Sequence, residues 1–459
     1  MTFLRRCAVI PAALAWVHFF APALHAQQPS DTVGVPHTLT LGQAARLAAQ
    51  NSAHALEAMA RARQAHARSG QSRAQFLPNI DALLTPASAR TYNIAPQLGI
   101  NFSIPGQKAF FDPNGQVIGP VNDITYGARA SDTLFSLGAI SRFRATKAAE
   151  AASYADASQQ ADSAASAAAN AYLQTQHATA LLSARIADSV LATDLLQIAK
   201  DQLAAGVGIS LDVTRAQSQL ATVRAQLIQT RNDVDRARLD FLRTLGLPLD
   251  TPVELSDSLT ALPFVDALPP EEQSIDRAFQ QRPDLKAADL QLQSSAREIG
   301  AIRDERLPAL SAYGTWAEDG IAYKYLLPVY SVGLQVSFPI FDGLRREGRI
   351  EEQKAAAHEI EVRRRDLRQR IAIEVRQAYL DLASERQQVD AARERSRLSA
   401  DEVDQANQRF RSGVAGNTDV ILAEQDVDAA RTAVVDALNG YQIARVALAR
   451  ALGAVQQLP

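Results

Sequence analysis

A single cysteine, Cys7, stands in 459 residues, so the chain can form no disulfide within itself. Cysteine and histidine nowhere fall at metal-ligand spacing, which removes zinc folds and thiol redox pairs. Of the histidines, His18 and His25 lie within the first 26 residues, while His37, His54, His66, His177 and His358 are scattered singly and read as solvent-exposed. No Gly-x-x-x-x-Gly-Lys phosphate loop occurs, and no serine, histidine and aspartate stand in a hydrolase motif. Catalysis, a cofactor and a metal are therefore not expected. An excess of one charge is also lacking: 47 Lys+Arg face 50 Asp+Glu. That balance disfavours nucleic acid as a partner. The basic run Arg363-Arg364-Arg365 with Arg368 and Arg370 reads as a solvated helix face paired with Glu359, Glu361 and Asp366. Aromatic residues make up only 6%, and the alanine-rich remainder points to long, closely packed helices.

Long apolar runs are scarce as well. The one candidate, Ala8 to Leu24, follows Arg5-Arg6, is interrupted by Pro11, His18 and Pro22, and ends at Leu24-His25-Ala26 before a polar stretch. It is too short and broken for a spanning helix, for which about 20 apolar residues are needed, and reads as an export signal over 1–26. Cys7 precedes the apolar stretch, so it cannot become a lipidated first residue after cleavage. Any later contact with the bilayer interior must then be made by strands.

What the chain does have is a duplication. A shift of 207 residues lays Gly206-Val207 on Gly413-Val414, Asp212-Val213 on Asp419-Val420, Ala171-Tyr172-Leu173 on Ala378-Tyr379-Leu380 and Leu245-Gly246 on Leu452-Gly453, without a gap. The expected organisation is a first repeat over 27–246, a proline-rich join over 247–274, a second repeat over 275–453 and a tail over 454–459. Each repeat opens with a helix, from Leu39 to Gln75 with Thr40 as N-cap and from Ser274 to Arg306, closed by Leu77-Pro78 and Leu307-Pro308.

Strand-like segments follow. Tyr330, Val332, Leu334, Val336 and Phe338 alternate with Ser331, Gly333, Gln335 and Ser337, giving one greasy and one wet face. In the first repeat, Leu98 to Ile104 and Ile124 to Ala130 alternate in the same way, while Asn79 to Tyr92 and Ala309 to Trp316 give a weaker signal. Four strands in two pairs are expected, with the limits inside 79–135 left open. After each pair the pattern returns to helix over about Ala145 to Ala204 and Ile350 to Arg411. Turns at Gly206-Val207-Gly208 and Gly413-Val414-Ala415-Gly416 then lead into return helices ending near Gly246 and Gly453. The fold class is mainly α with a membrane β-barrel portion, built from long antiparallel helical hairpins. Four strands cannot close a barrel; three chains would supply twelve, enough for a lumen. A soluble sheet with one face on a core would satisfy the same alternation.

The tandem halves, the Leu-Pro before each strand pair, Phe341-Asp342-Gly343 at the return to helix and the paired Gly-Val-x4-Asp-Val tips together resemble the TolC family of outer-membrane efflux and export channels. In the first half Phe135-Ser136-Leu137-Gly138 departs, where an acid usually stands. The resemblance implies a homotrimer in the outer membrane of a Gram-negative bacterium, with a twelve-stranded barrel in lipid and a helical barrel through the periplasm. It also implies a periplasmic adaptor and a proton-driven or ATP-driven inner-membrane transporter as partners, and a passive conduit rather than an enzyme. The cargo, whether drugs, metal ions, glycolipids or polypeptides, is not legible. The alternative from another class is a soluble periplasmic coiled-coil adaptor, which would need only one hairpin.

By the same resemblance, Asp212 and Asp419 would line the periplasmic aperture, where repeated carboxylates favour cations. A simpler role coexists: after Ser210 or Asn417 as N-cap, each acid sits in a first helical turn and favours the helix dipole. Gly206, Val207, Gly208, Gly413, Val414 and Ala415 would form the adaptor-docking tips, though glycine also serves a tight turn without any partner. The family's polar latch is missing, because Phe410 and Ala415 occupy its positions and neither side chain can donate a hydrogen bond. Closure by packing is expected instead.

Overall fold

The computed structural model describes residues 38–93, 117–259, 268–414 and 416–459. The export signal, the Leu98 to Ile104 segment and Ala415 lie outside the described residues.

Each repeat opens with two helices rather than the one expected. In the first, α1 (Leu41–Asn51) and α2 (Ala53–Ala74) are separated by Ser52, which takes extended backbone at ψ 147° and accepts a hydrogen bond from Ala55 N. In the second, α5 (Glu271–Gln281) and α6 (Pro283–Asp304) are separated by Arg282 at ψ 124°. Proline at position 283 excludes helical geometry from the residue before it, whereas Ser52 breaks the helix by recapping it. Thr40 caps α1 as expected, in a reciprocal box with Gln43. The start of α5 lies at Glu271, behind Pro270, rather than at Ser274.

Between these helix pairs and the long helices lie the strands β2 (Asn79–Asn93) and β3 (Val117–Ser136) in the first repeat and β5 (Ala309–Gly320) and β6 (Leu327–Ser337) in the second. The two expected pairs join through β3 and β5 into one antiparallel sheet of order β2-β3-β5-β6. The remaining strands, β1 (Thr38–Leu39) and β4 (Glu254–Leu255), pair in parallel and tie the join between repeats to the start of the first.

From the sheet run α3 (Leu137–Ala204) and α7 (Arg345–Arg411), of 68 and 67 residues, each beginning before the position that periodicity alone suggests. At 1.5 Å per residue they are about 100 Å long. The helices α4 (Ser210–Leu245) and α8 (Asn417–Ala451) return along them. Packing runs α4 on α3, α3 on α8 and α8 on α7, so the two hairpins form one layer. Buried Ala165, Ala168 and Ala169 let α1 approach α3 closely. Tyr172 and Tyr379, equivalent under the duplication, hold the join at two places. Tyr172 Oη donates to Leu39 O (3.1 Å) and lies 3.0 Å from Asp257 Oδ2; Tyr379 Oη donates to Pro269 O at 2.7 Å.

Two further expectations are corrected. His177 is half-buried and its Nε2 lies 2.7 Å from Asp436, while His66, though exposed, contacts buried Glu150 at 3.0 Å. The arginine run is paired in part across helices: Arg364 reaches Asp289 on α6, Arg363 pairs with Glu359, and Arg370 with Asp366.

Candidate functional site

The sheet and the hairpin tips, at opposite ends of the long helices, are the places where this fold can meet other molecules. In the sheet, register decides the chemistry. Ile80 pairs with Ala130 and Leu84 with Tyr126; Ala128 pairs with Trp316, and Trp316 with Tyr330. Gly314, Ala312 and Leu310 continue that face of β5 opposite Val332, Leu334 and Val336 of β6. Because strand side chains alternate, all of these lie on one face of the sheet. The other face carries Asp81 and Thr85, Thr125 and Arg129, Ser311 and Thr315, Ser331 and Gln335. The apolar side chains Ile80, Leu84, Trp316, Val332 and Leu334 are exposed rather than covered by a core. Tyr323 and Tyr325 stand exposed at the turn between β5 and β6, near Trp316 and Tyr330, and the rings of Tyr323 and Tyr126 are 5.7 Å apart. Phe338 and Phe341 mark the opposite end. An apolar band between aromatic rims is the pattern of a strand wall facing lipid. The outer edges of β2 and β6 have no strand partner among the described residues. No described helix is long and apolar enough to cross a membrane.

At the junction of sheet and helix the two repeats use different devices. Ser136 caps α3 by accepting from Ala139 N, which accounts for the departure from the acid-containing turn. In the second repeat Asp342 accepts from Arg346 Nε at 2.6 Å, and this hydrogen bond holds the Asp342 carboxyl below its ordinary range. Leu344 there takes left-handed backbone at φ 63°.

The two hairpin tips have the same backbone. Gly206 N donates to Leu203 O and Val207 N to Gln202 O; Gly413 N donates to Phe410 O and Val414 N to Arg409 O. Each is a Schellman closure, which requires the left-handed φ of 74° at Gly206 and 72° at Gly413. A Cβ added at either glycine would meet nothing within 4 Å, so backbone conformation rather than space dictates glycine. At Gly208 an added Cβ would come within 2.9 Å of Gln202 Cβ, so there close approach decides. Val207 and Val414 are 80% and 71% exposed, an apolar knob on each tip.

Asp212 and Asp419 occupy the first turns of α4 and α8. Ser210 and Asn417, expected from sequence as N-caps, are instead the first helical residues, and Ile209 and Gly416 precede them with no side-chain cap bond. Asp212 is half-buried beside Arg215, 3.9 Å away, whereas Asp419 is exposed. The two acids are thus equivalent in position and unlike in surroundings.

Packing does join the tips: buried Phe410 enters a core with Leu195, Val403 and Val420. Polar bonds that sequence reasoning missed join them too. Asn417 Nδ2 donates to Asp212 O (2.8 Å), Gln202 Nε2 to Phe410 O (3.1 Å) and Arg215 Nη1 to Thr418 Oγ1 (3.1 Å). The one available signal was asymmetry under the duplication, which sets Asn417 opposite Ser210.

A family model described as outer membrane efflux protein matches residues 44–247 and 274–454. Protein CyaE of Bordetella pertussis is 25% identical over 265 residues, 57% of this chain and 56% of that protein. Outer membrane efflux protein BepC of Brucella suis is 25% identical over 266 residues, 56% of each. The matched stretch therefore spans just over half the length of these relatives. Among solved structures, the Campylobacter jejuni CmeC outer membrane channel superimposes with a TM-score of 0.72 at 19% identity, covering 90% of this chain and 85% of that one.

Proposed function

The chain belongs to the outer membrane efflux protein family, and from that premise we propose that it is the outer-membrane conduit of a tripartite efflux or type I export assembly. The resemblance to TolC-like channels seen in its sequence is borne out, and the family is one of transport proteins in the outer membrane. The observation that carries the proposal is the register of the four-stranded sheet. It sets Ile80 and Leu84 of β2, Tyr126 of β3, Trp316 of β5 and Tyr330, Val332, Leu334 and Val336 of β6 on one face and leaves two edges open. Unpaired edges cannot persist in lipid. Three copies joined edge to edge, β6 to β2, supply twelve strands and a lumen lined by the polar face. The exposed aromatic rims support the same reading.

The helical layer continues the lumen toward the periplasm, and the tips form its inner mouth. Asp212 and Asp419 repeat three times around that mouth and favour cations. Val207 and Val414, carried on the turns closed at Gly206 and Gly413, offer the apolar contact for a periplasmic adaptor. An inner-membrane transporter supplies the energy. The test is fractionation followed by planar-bilayer recording. A heat-modifiable trimer in the outer-membrane fraction, conducting in discrete steps, supports the proposal; a monomer soluble without detergent overturns it.

A further inference from the structure

A few helical turns above the tips, α3, α4 and α8 enclose a cavity of about 170 Å³. Three carboxylates, Asp188, Glu424 and Asp428, line it, and two arginines pair with two of them. Arg431 Nη1 donates to Asp188 at 2.9 Å; Arg185 reaches Asp188 at 3.3 Å and also pairs with Asp428. Both guanidinium groups are thereby engaged. The third carboxylate, Glu424 on α8, lines the same cavity and is 7% exposed. Among the described residues it accepts no hydrogen bond and joins no ion pair. The groups facing it from α4 are Gln219, Thr222 and Gln226, which are uncharged. From α3 come Asp188 and, farther along, exposed Asp194.

A buried carboxylate without a partner is costly as an anion and is neutralised by taking up a proton. Burial, then the like charges of Asp188 and Asp194, raise the Glu424 carboxyl to about 7. The cavity lies in the seam between the hairpins, where α8 packs on α3 and touches α4, so a charge appearing there acts on the packing above the tips.

We propose that Glu424 is a proton-operated latch in the duct wall: protonated, it lets α8 close against α3 and α4; ionised, it hydrates the cavity and loosens α8 above the tips. Because the folded protein binds this proton more tightly than the unfolded chain, the latch weakens as pH rises through neutrality and is unchanged at acid pH. The latch lies outside the aperture and the docking turns, and goes beyond the conduit reading.

Hydrogen exchange of the segment 418–430 tests it in the purified full chain in detergent, from about pH 5.5 to about 8.5, corrected for intrinsic exchange. Exchange in the unaltered protein should rise several-fold with a midpoint near neutrality. Glu424→Gln should hold the slow rate throughout, and Asp194→Asn, which removes a like charge from the neighbourhood of Glu424, should shift the midpoint to lower pH. Identical profiles for the unaltered protein and Glu424→Gln overturn the proposal. A transition that disappears in Asp419→Asn while surviving in Glu424→Gln assigns it to the tip and also overturns it. Exchange is read whether or not the protein conducts, so failure of the conduit reading is recognised separately.

Discussion

The buried side-chain amide of Asn417 donates to the main-chain carbonyl of Asp212 at 2.8 Å, stitching the first turn of α8 to the first turn of α4. The two hairpins of one chain are thus joined at their tips through backbone, not through the Asp212 carboxylate. A first-turn carbonyl has its helical partner four residues on, and a second lone pair remains for such a bond. The duplicated position, Ser210, does not reproduce it, so the tether runs in one direction only.

Removing that amide separates the tips more than removing the acid. Asn417→Ala should cost about 1–2 kcal/mol, the loss of a buried hydrogen bond, and should raise the leak through the closed mouth. Asp212→Ala should leave conductance nearly unchanged. Single-channel recording of the two variants decides; a large leak from Asp212→Ala alone would assign the closure to its carboxylate.

Cation preference should respond to the exposed acid more than to the half-buried one. Asp419→Asn is expected to lower the cation-to-anion permeability ratio, and Asp212→Asn to lower it less, since Arg215 already stands beside that carboxylate. Reversal potentials in a salt gradient measure both. Equal effects would place the two acids in equivalent surroundings.

Glycine at the tips is required by its left-handed backbone, while the space around it is open. Gly206→Leu or Gly413→Leu should therefore cost about 1 kcal/mol each and leave the trimer assembled, yet abolish transport by blocking the docking turn. Semi-native gels alongside an efflux assay separate the outcomes. Lost trimers would mean that the turns serve architecture alone.

Tyr172 and Tyr379 test the join between repeats. Tyr172→Phe removes a hydrogen bond in a fully buried setting and should lower stability by about 1–2 kcal/mol, with a smaller loss for Tyr379→Phe. The trimer-to-monomer transition temperature reports both, and a larger loss for Tyr379→Phe would reverse the assignment.

Acid sensitivity should trace to Glu150. Burial alone would raise its carboxyl, but hydrogen bonds from Lys147, Ser69 and His66 outweigh it and hold the group down at about 2 against an ordinary 4.5. A lowered carboxylate stabilises the fold above its unfolded value and loses that contribution as pH falls toward about 2. The stability advantage over Glu150→Gln should be constant from neutrality to about pH 4.5 and shrink below it. An advantage independent of pH in acid would exclude the carboxylate as its source.

The lengths of the hairpins, the duplicated tips and the greasy face of β6 were legible in the sequence, because helix and strand periods and a gap-free repeat are local properties of a chain. Other features were not. The break at Ser52 was invisible, since an alanine-rich sequence continues as readily as it recaps. The weak alternation of Asn79 to Tyr92 became a strand only through its pairing with β3. Ser210 and Asn417 suit an N-cap by residue type, yet the turn geometry moved each one position into its helix.

By itself, then, the sequence determined that two copies of one helix–strand–helix unit follow each other, with too few strands to close. Tertiary structure alone decided that the two strand pairs share one sheet in a register that aligns the apolar faces of β5 and β6, that Asn417, Gln202 and Arg215 rather than an acid supply the polar bonds between the tips, and that Glu424 has no cation partner among the described residues. These depend on which side chains meet across elements more than 200 residues apart, and no local period encodes such a meeting.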